Sequence, residues 1–234
     1  MSFKEAQQAL RAQANAKHAE HHQRFFKTGP GEYGEGDIFL GLRVPQVRKI
    51  AESFQDLSLR DLDRFLASPI HEDRLFAIFV LVKQYQKAAD DGQTAIVDFY
   101  LAHTHRINNW DIVDASAHKI LGHYLLQRPR KVLNELVRSP VLWERRIAIF
   151  ATYTFIKAGD LGPTLKLAKK LLKDDQDLIH KATGWMLREL GKQDEDVLLD
   201  FLDSNGSKMP RTMLRYAIEK LPEDVRQGYL KGTR

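Results

Sequence analysis

The chain has 234 residues, 43% of them hydrophobic and 29% charged, which is ordinary for one large or two small globular domains. It contains no cysteine, which excludes disulfides, a thiolate nucleophile and a cysteine-based zinc site, and suits a cytoplasmic location. The longest apolar run, Leu75 to Val82, has 8 residues and is far too short to span a membrane. The N-terminus is polar, without the apolar stretch of a secretory signal. A net charge of +5 favours a polyanionic partner only weakly.

Helical periodicity dominates the chain. We expect one domain, with an N-terminal helical hairpin over residues 1–27, a glycine-rich loop over 28–45 and helical repeats over 46–234. Apolar residues recur at three- and four-residue spacing in a series of segments between Leu59 and Ser204, one of them running without a break from Asn109 to Leu126. No stretch alternates as a strand would. The sequence therefore predicts an all-α fold.

An internal repeat refines this prediction. The segment SPIHEDRLFAIF (68–79) aligns without gaps on SPVLWERRIAIF (139–150), with 6 of 12 positions identical and an offset of 145 − 74 = 71 residues. Half of that offset, about 35 residues, is typical of an antiparallel helix pair in a HEAT-like repeat. We therefore expect a curved, right-handed solenoid in which the second helices line one concave face. The helices of that face would carry Arg74, Trp110, Arg146 and Trp185.

The segment KTGPGEYGEGDIFLGLRVP (27–45) interrupts the helices. Its five glycines and two prolines indicate a shaped loop, and it lacks the ending of a phosphate-binding P-loop. Two interpretations stay open: a linker between the hairpin and the repeats, or a loop shaped to approach a ligand.

The run NNWDIVDASA carries two carboxylates among core-like residues. Asp111 falls in the first turn of a helix, where we expect it to meet the helix N-terminus. Asp114 lies one turn further on, on the same side as Trp110. A carboxylate there needs a partner. It is either a structural partner for an arginine of the next repeat or a functional group.

Arginine and tryptophan recur in the later repeats. Arg145 aligns with Arg74, which indicates a recurrent structural role. Arg146 replaces Leu75, which indicates either a site-specific role or an inter-repeat salt bridge, for which Asp114 is a candidate partner. Trp185 and Arg188 share a helix face and could bind an anion or act as a packed anchor.

Two further observations concern other sites. Trp143 is expected in the core. His18 and His22 are four residues apart but have no third ligand nearby, so we expect neither a metal site nor a cofactor. Aromatic and arginine side chains that share a concave basic surface suit nucleic acid.

Four motifs together resemble the AlkD family of DNA alkylation-repair glycosylases, over about residues 17–221. They are FLGLRVPQVRKIA, NWDIVDASA, LWERRIAIF and KATGWMLREL, in the family's order and at comparable spacing. The family's fold is a curved stack of HEAT-like helical repeats, in agreement with the internal repeat.

The resemblance implies roles for individual residues. Asp114 falls on the family's catalytic aspartate, and Trp110 and Trp185 fall on the two tryptophans that flank the lesion. Positions implied to contact DNA are Arg146, Arg188, Arg43 and Arg48. Phe25 stands where characterised members have a tyrosine near the site, so any hydrogen bond of that hydroxyl is lost.

The resemblance also implies a reaction. The enzyme would be a monofunctional glycosylase that hydrolyses the N-glycosidic bond of cationic N3- or N7-alkylated purines in duplex DNA, acting as a monomer without cofactor. No lysine is placed as an amine nucleophile. The alternatives are a catalytically silent protein that recognises DNA shape and a HEAT-like protein-interaction scaffold.

Overall fold

A computed structural model describes residues 2–233 of the chain. The prediction of an all-α fold is confirmed, since within these residues there are fourteen α-helices and no strand, and an isolated parallel bridge joins Ile38 to Ile70. None of the described helices is long and apolar enough to cross a membrane. The chain divides into two compact units, the first ending at Ser116 and the second beginning at Ala117.

The first unit contains seven helices arranged around α5. They are α1 (Phe3–Arg11), α2 (Ala16–Phe25), α3 (Val44–Glu52), α4 (Leu59–Leu66), α5 (His71–Lys87), α6 (Asp90–Ala102) and α7 (Trp110–Ser116). Helix α5 packs against α3, α4, α6 and α7. Because it is covered on several sides, all of its residues from His71 to Val82 are buried. The first two helices, α1 and α2, lie within residues 1–27, where the N-terminal hairpin is expected.

The second unit contains the other seven helices. They are α8 (Lys131–Leu136), α9 (Leu142–Lys157), α10 (Gly162–Lys170), α11 (Asp177–Gly191), α12 (Glu195–Asn205), α13 (Arg211–Ala217) and α14 (Glu223–Lys231). Helices α9, α11 and α13 pack side by side, while α8 and α10 cover α9, and α10 and α12 cover α11. Trp143 on α9 is buried, as predicted. The last two helices extend beyond the segments that periodicity indicated.

The internal repeat has a structural counterpart in the way α5 and α9 begin. The two helices start 142 − 71 = 71 residues apart, which is the offset of the repeat. The hydroxyls of Ser68 and Ser139 each accept the amide of the residue two positions on, at 3.1 and 3.0 Å. Arg74 donates to the Ser68 carbonyl at 3.1 Å, and Arg145 donates to the Ser139 carbonyl at 2.9 Å. The recurrent structural role predicted for Arg145 and Arg74 is thereby confirmed.

The segment expected to be one helix, Asn109 to Leu126, is helical from Trp110 on, but it is not α-helical throughout. Helix α7 ends at Ser116, and a π-helical turn follows over His118–Gly122, in which the Gly122 amide donates to the Ala117 carbonyl at 2.8 Å. The cause is local packing against α9. A Cβ on Gly122 would lie 2.3 Å from the Ala151 carbonyl oxygen, and the Thr154 hydroxyl binds the His118 carbonyl at 2.5 Å. Periodicity does not reveal a close approach of this kind.

The glycine-rich segment is a structured loop that binds both α2 and α5. The Glu72 carboxylate of α5 accepts the amides of Leu40, Gly41 and Leu42 at 2.9, 2.8 and 3.2 Å. On the other side, the Asn15 amide donates to the Leu40 carbonyl at 2.8 Å. The loop therefore fixes α2 with respect to the start of α5.

Gly41 is required by two independent constraints. Its φ is +86°, and a Cβ there would lie 2.1 Å from the Asn15 carbonyl oxygen and 2.5 Å from the Ala19 amide nitrogen. Gly36 has nearly the same φ, +84°, but a Cβ there would meet nothing within 4 Å.

The contrast between Gly36 and Gly41 gives a first prediction. Gly36→Ala should lower the free energy of unfolding only by the cost of a left-handed alanine, about 1–2 kcal/mol. Gly41→Ala should lower it by at least ~2 kcal/mol more, because backbone atoms of α2 must also move. Urea unfolding of both variants measures the difference. Equal losses would show that the loop relaxes freely away from α2.

Candidate functional site

The start of α7 presents an aromatic surface in the first unit. The Trp110 ring stacks on Phe26, with 5.4 Å between centroids and 17° between planes, and meets Phe25 edge-on at 6.1 Å. Phe26 is buried, Trp110 is half-buried and Phe25 is 55% exposed. The structure therefore brings Phe25 and Trp110 together, although 85 residues separate them (110 − 25).

Asp114 lies one helical turn beyond Trp110 on α7 and is half-buried. It is close to Tyr100 of α6, a fully buried residue whose hydroxyl lies 3.0 Å from the Ser116 hydroxyl. Burial raises the pKa of Tyr100 well above its ordinary value, and the negative charge of Asp114 adds to this effect. Tyr100 is thus a neutral hydroxyl that does not compete with Asp114 for a cation.

A buried ion network fixes the start of α7. The two ring nitrogens of His71 face two carboxylates: Nε2 lies 2.8 Å from Asp111 and Nδ1 lies 3.4 Å from Asp37. Arg74 donates to the other oxygen of Asp37 at 2.6 Å, and the Asn109 amide group donates to Asp37 at 3.1 Å. The network therefore joins α5, the glycine-rich loop and α7 through side chains that are at most slightly exposed.

Asp111 has a larger role than the expected one. One of its oxygens accepts the Ile112 amide at 2.9 Å, so it does meet the helix N-terminus, but the other oxygen binds His71. Asn109, which directly precedes the helix, also binds the backbone: its side-chain oxygen accepts the Trp110 amide at 2.8 Å.

The charge of His71 follows from these contacts. Burial by itself would lower its pKa, but Asp111 and then Asp37 outweigh burial and raise the pKa to about 9. Burial would likewise raise the pKa of Asp37, yet His71 and Arg74 hold it below the ordinary value. At neutral pH the network is therefore an imidazolium between two carboxylates.

The imidazolium is also enclosed by aromatic rings. Its ring lies 4.8 Å from Phe26 and 4.7 Å from Phe39, between centroids. Because Phe26 contacts both His71 and Trp110, one continuous aromatic stack runs from His71 to Trp110. Favourable cation–π contact accompanies the ion pairs at the buried end of this stack.

The second unit brings Arg146 and Trp185 to the same phenylalanine. The Arg146 guanidinium lies 4.9 Å from the Phe150 ring centroid, and Trp185 meets that ring edge-on at 5.4 Å. Arg146 is only 4% exposed and donates to the Leu178 carbonyl at 2.6 Å. Trp185 is half-buried, and its indole N–H donates to Glu189 at 3.2 Å.

Arg188 is held by acidic side chains. It forms an ion pair with Glu219, and its Nε lies 3.6 Å from Glu189. Its guanidinium is 5.7 Å from the Trp185 ring centroid. The side chain is thus a packed anchor in this structure, and its implied contact with DNA stays a prediction.

Arg43 directly precedes α3 and Arg48 lies in the middle of that helix, and both are exposed. The Arg48 guanidinium lies 5.0 Å from the Phe79 ring centroid. Among the described residues, no group of three or more histidine, aspartate or glutamate side chains has a metal-binding arrangement. His18 and His22 therefore gain no third ligand there.

Sequence reasoning singled out Arg74 and Asp111 but missed the other members of the ion network. His71 and Asp37 lie in none of the four motifs, and Asn109, which begins NWDIVDASA, was given no role. One signal was present: His71-Glu72-Asp73-Arg74 places four polar residues directly before an apolar run, at the start of a helix that the repeat marks as core.

The fold and these motifs place the chain in a known class. Residues 6–221 match the model of the family described as DNA alkylation repair enzyme, and the chain belongs to that family. A solved structure described as a predicted DNA alkylation repair enzyme from Enterococcus faecalis is similar in fold, with a TM-score of 0.71 and 16% sequence identity. The similarity covers 90% of this chain and 98% of that one. No curated protein sequence matches the chain.

The ion network generates a second prediction. The pKa of His71 is higher in the folded chain, about 9, than the ordinary 6.5, so its stabilising contribution is complete below pH ~6.5 and lost as pH rises through about 9. Between pH 6.5 and 10 the wild type should lose about 3 kcal/mol more unfolding free energy than His71→Gln.

Urea unfolding at the two pH values measures this difference. His105→Gln, at an exposed position, serves as the control and should follow the wild type. A gap between wild type and His71→Gln that does not change with pH would mean that His71 is neutral in the folded chain.

Proposed function

We propose that the protein is a monofunctional DNA glycosylase that releases cationic N3- and N7-alkylated purines, such as 3-methyladenine and 7-methylguanine, from duplex DNA. The proposal rests on membership of the DNA alkylation repair enzyme family and on one observation above all. Asp114 lies one turn from Trp110 on α7, beside an aromatic surface that includes the exposed Phe25.

The chemistry requires a fixed negative charge. An N3- or N7-alkylated purine is already cationic and is a good leaving group, so a strong general acid is unnecessary. Cleavage of the glycosidic bond develops positive charge on the deoxyribose. A half-buried carboxylate in a fixed position stabilises that charge and can orient the attacking water. We assign this role to Asp114.

The tryptophans supply contact with the damaged nucleotide. An indole ring attracts a cation through its π face and also offers a large apolar area. We assign Trp110 and Trp185 to the lesion and its sugar, and Phe25 to the same surface as Trp110. Since Phe25 has no hydroxyl, its contribution is apolar contact alone.

Phosphate contacts fall to the arginines. Arg43 and Arg48 are exposed and present their charge to solvent, whereas Arg146 is almost fully buried. We therefore assign phosphate contacts first to Arg43 and Arg48, and to Arg188 where DNA displaces Glu219. Such contacts position the duplex without reading its sequence. The damaged base would stay in the duplex, unlike the flipped bases of many glycosylases.

A third prediction tests the carboxylate. Asp114→Asn keeps the shape of the side chain but removes the charge, so single-turnover release of 7-methylguanine should fall by roughly 10²–10³-fold. Affinity for undamaged duplex should be kept or rise slightly, since a repulsive charge is lost. The measurement is base release from methylated duplex without added metal.

Asp98→Asn, at an exposed position of α6, is the matched control and should release base at the wild-type rate. If Asp114→Asn releases base as fast as the wild type, the assigned mechanism is wrong. If the wild type binds duplex DNA but releases no base from any alkylated substrate, the protein is instead a silent DNA-shape binder.

A fourth prediction concerns the product. A lyase step needs a neutral amine that forms a Schiff base. The lysine of the KATGWMLREL motif, Lys181, has its ammonium 2.8 Å from Asp177 and forms an ion pair with that carboxylate. The abasic strand should therefore stay intact until heated in alkali, and borohydride should trap no covalent adduct. Strand cleavage without alkali would contradict the monofunctional assignment.

A further inference from the structure

Four lysines form a stripe along α10 and the short 3₁₀ turn that follows it. Lys166, Lys169, Lys170 and Lys173 have the spacing i, i+3, i+4 and i+7, which confines them to about 100° of the helix circumference. All four are exposed. The opposite side of the same segment is buried, through Thr164, Leu167, Ala168 and Leu171. The lysine stripe therefore points directly into solvent.

Further groups extend the stripe toward α8. Lys170 donates to the Asn134 side chain at 2.7 Å. Partial desolvation, followed by repulsion from Arg138 and Lys166, lowers the pKa of Lys170, so these cations lie close enough to one another to interact. Arg138 is itself exposed.

Nearby carboxylates do not neutralise the stripe. Asp160 binds Arg130, and Asp174 binds Arg145 at 2.6 Å. Glu135 of α8 lies 3.9 Å from Lys131, and Asp175 is two residues beyond the last lysine of the stripe. Concentrated positive charge of this kind destabilises the folded chain by self-repulsion, and an anionic partner relieves that cost.

The stripe is separate from the residues assigned to the lesion. Trp185 and Arg188 lie on α11, and their contacts are to Phe150 of α9 and to Glu219. The lysines lie on the solvent side of α10. A function for the stripe is thus not part of the lesion contacts already described.

We propose that the lysine stripe binds the phosphate backbone of undamaged duplex DNA, as a second DNA-contacting surface. This inference extends the proposed function but does not depend on base release. From Lys166 to Lys173 the segment rises roughly 11 Å. One strand of duplex carries a phosphate about every 3.4 Å of axis, so the stripe matches about three phosphates.

The composition of the surface selects duplex DNA over a membrane. Lysine is a flexible point charge, which suits contacts with backbone phosphates that read no base sequence. A membrane-binding surface also needs apolar residues that insert between lipids. The exposed large apolar residues of the described chain are Phe25, Ile38, Val44 and Val141, and none of them is on α10.

The test replaces all four lysines of the stripe by glutamine, which keeps helix propensity and length while it removes the charge. Affinity for an unmodified duplex is measured by fluorescence anisotropy over a series of salt concentrations. The slope of log affinity against log salt should become shallower by about 3 × 0.9, close to 2.7. At 0.1 M salt the dissociation constant should rise at least about tenfold.

The matched control removes four exposed lysines elsewhere, Lys4, Lys87, Lys208 and Lys231, also by glutamine. It has the same net charge as the stripe variant, so it measures the general effect of charge. Equal slopes for the two variants would overturn the proposal. Loss of binding to anionic lipid vesicles, with DNA binding unchanged, would overturn it in favour of a membrane surface.

Measuring base release distinguishes the DNA-binding role of the lysine stripe from the proposed glycosylase activity. Single-turnover release at saturating enzyme should be within about twofold of wild type in the stripe variant, because no lesion contact is altered. If the wild type releases no base but the slopes differ as expected, the glycosylase assignment fails and the second DNA surface stands.

Discussion

Four consecutive polar side chains are buried at the start of α5, and the first unit depends on the partners they find. His71, Glu72, Asp73 and Arg74 are each at most 3% exposed. Glu72 holds the glycine-rich loop, Asp73 binds Arg11 of α1 at 2.6 Å, and Arg74 binds Asp37. Since a buried charge that loses its partner costs about 3–5 kcal/mol, this group requires the N-terminal helix, the loop and α5 to assemble together.

The same group determines where the aromatic surface lies. His71 binds Asp111 in the first turn of α7, and its ring packs on Phe26 and Phe39. Phe26 in turn stacks on Trp110. The loop places the end of α2, and the imidazolium places the start of α7. As a result Asp114, the carboxylate proposed for catalysis, is positioned by a helix whose start is held in a buried ion network.

The second unit contains the second copy of the repeat, which keeps one arginine contact and replaces an apolar residue by a second arginine. Arg145 repeats the contact that Arg74 makes to a serine carbonyl, and its carboxylate partner is Asp174. One position further on, Arg146 replaces an apolar core residue and lies over Phe150, the ring that Trp185 also contacts. A single substitution within the repeat thus converts a packing position into a charged one. Away from these residues, the unit exposes its lysines on α10.

The sequence by itself determined the helical class, the repeat offset and the motif residues, because amphipathic spacing and local motifs are encoded within short segments. It also indicated Arg74 and Arg145 as structural residues. It did not determine the partners of His71, the π-helical turn after Ser116 or the close approach of α2 to Gly41, since these depend on backbone approach and on residues tens of positions apart. Only the tertiary structure decided that Asp111 binds a buried imidazolium while Asp114 stays half-exposed beside Trp110, because burial and charge pairing are properties of packed helices rather than of spacing.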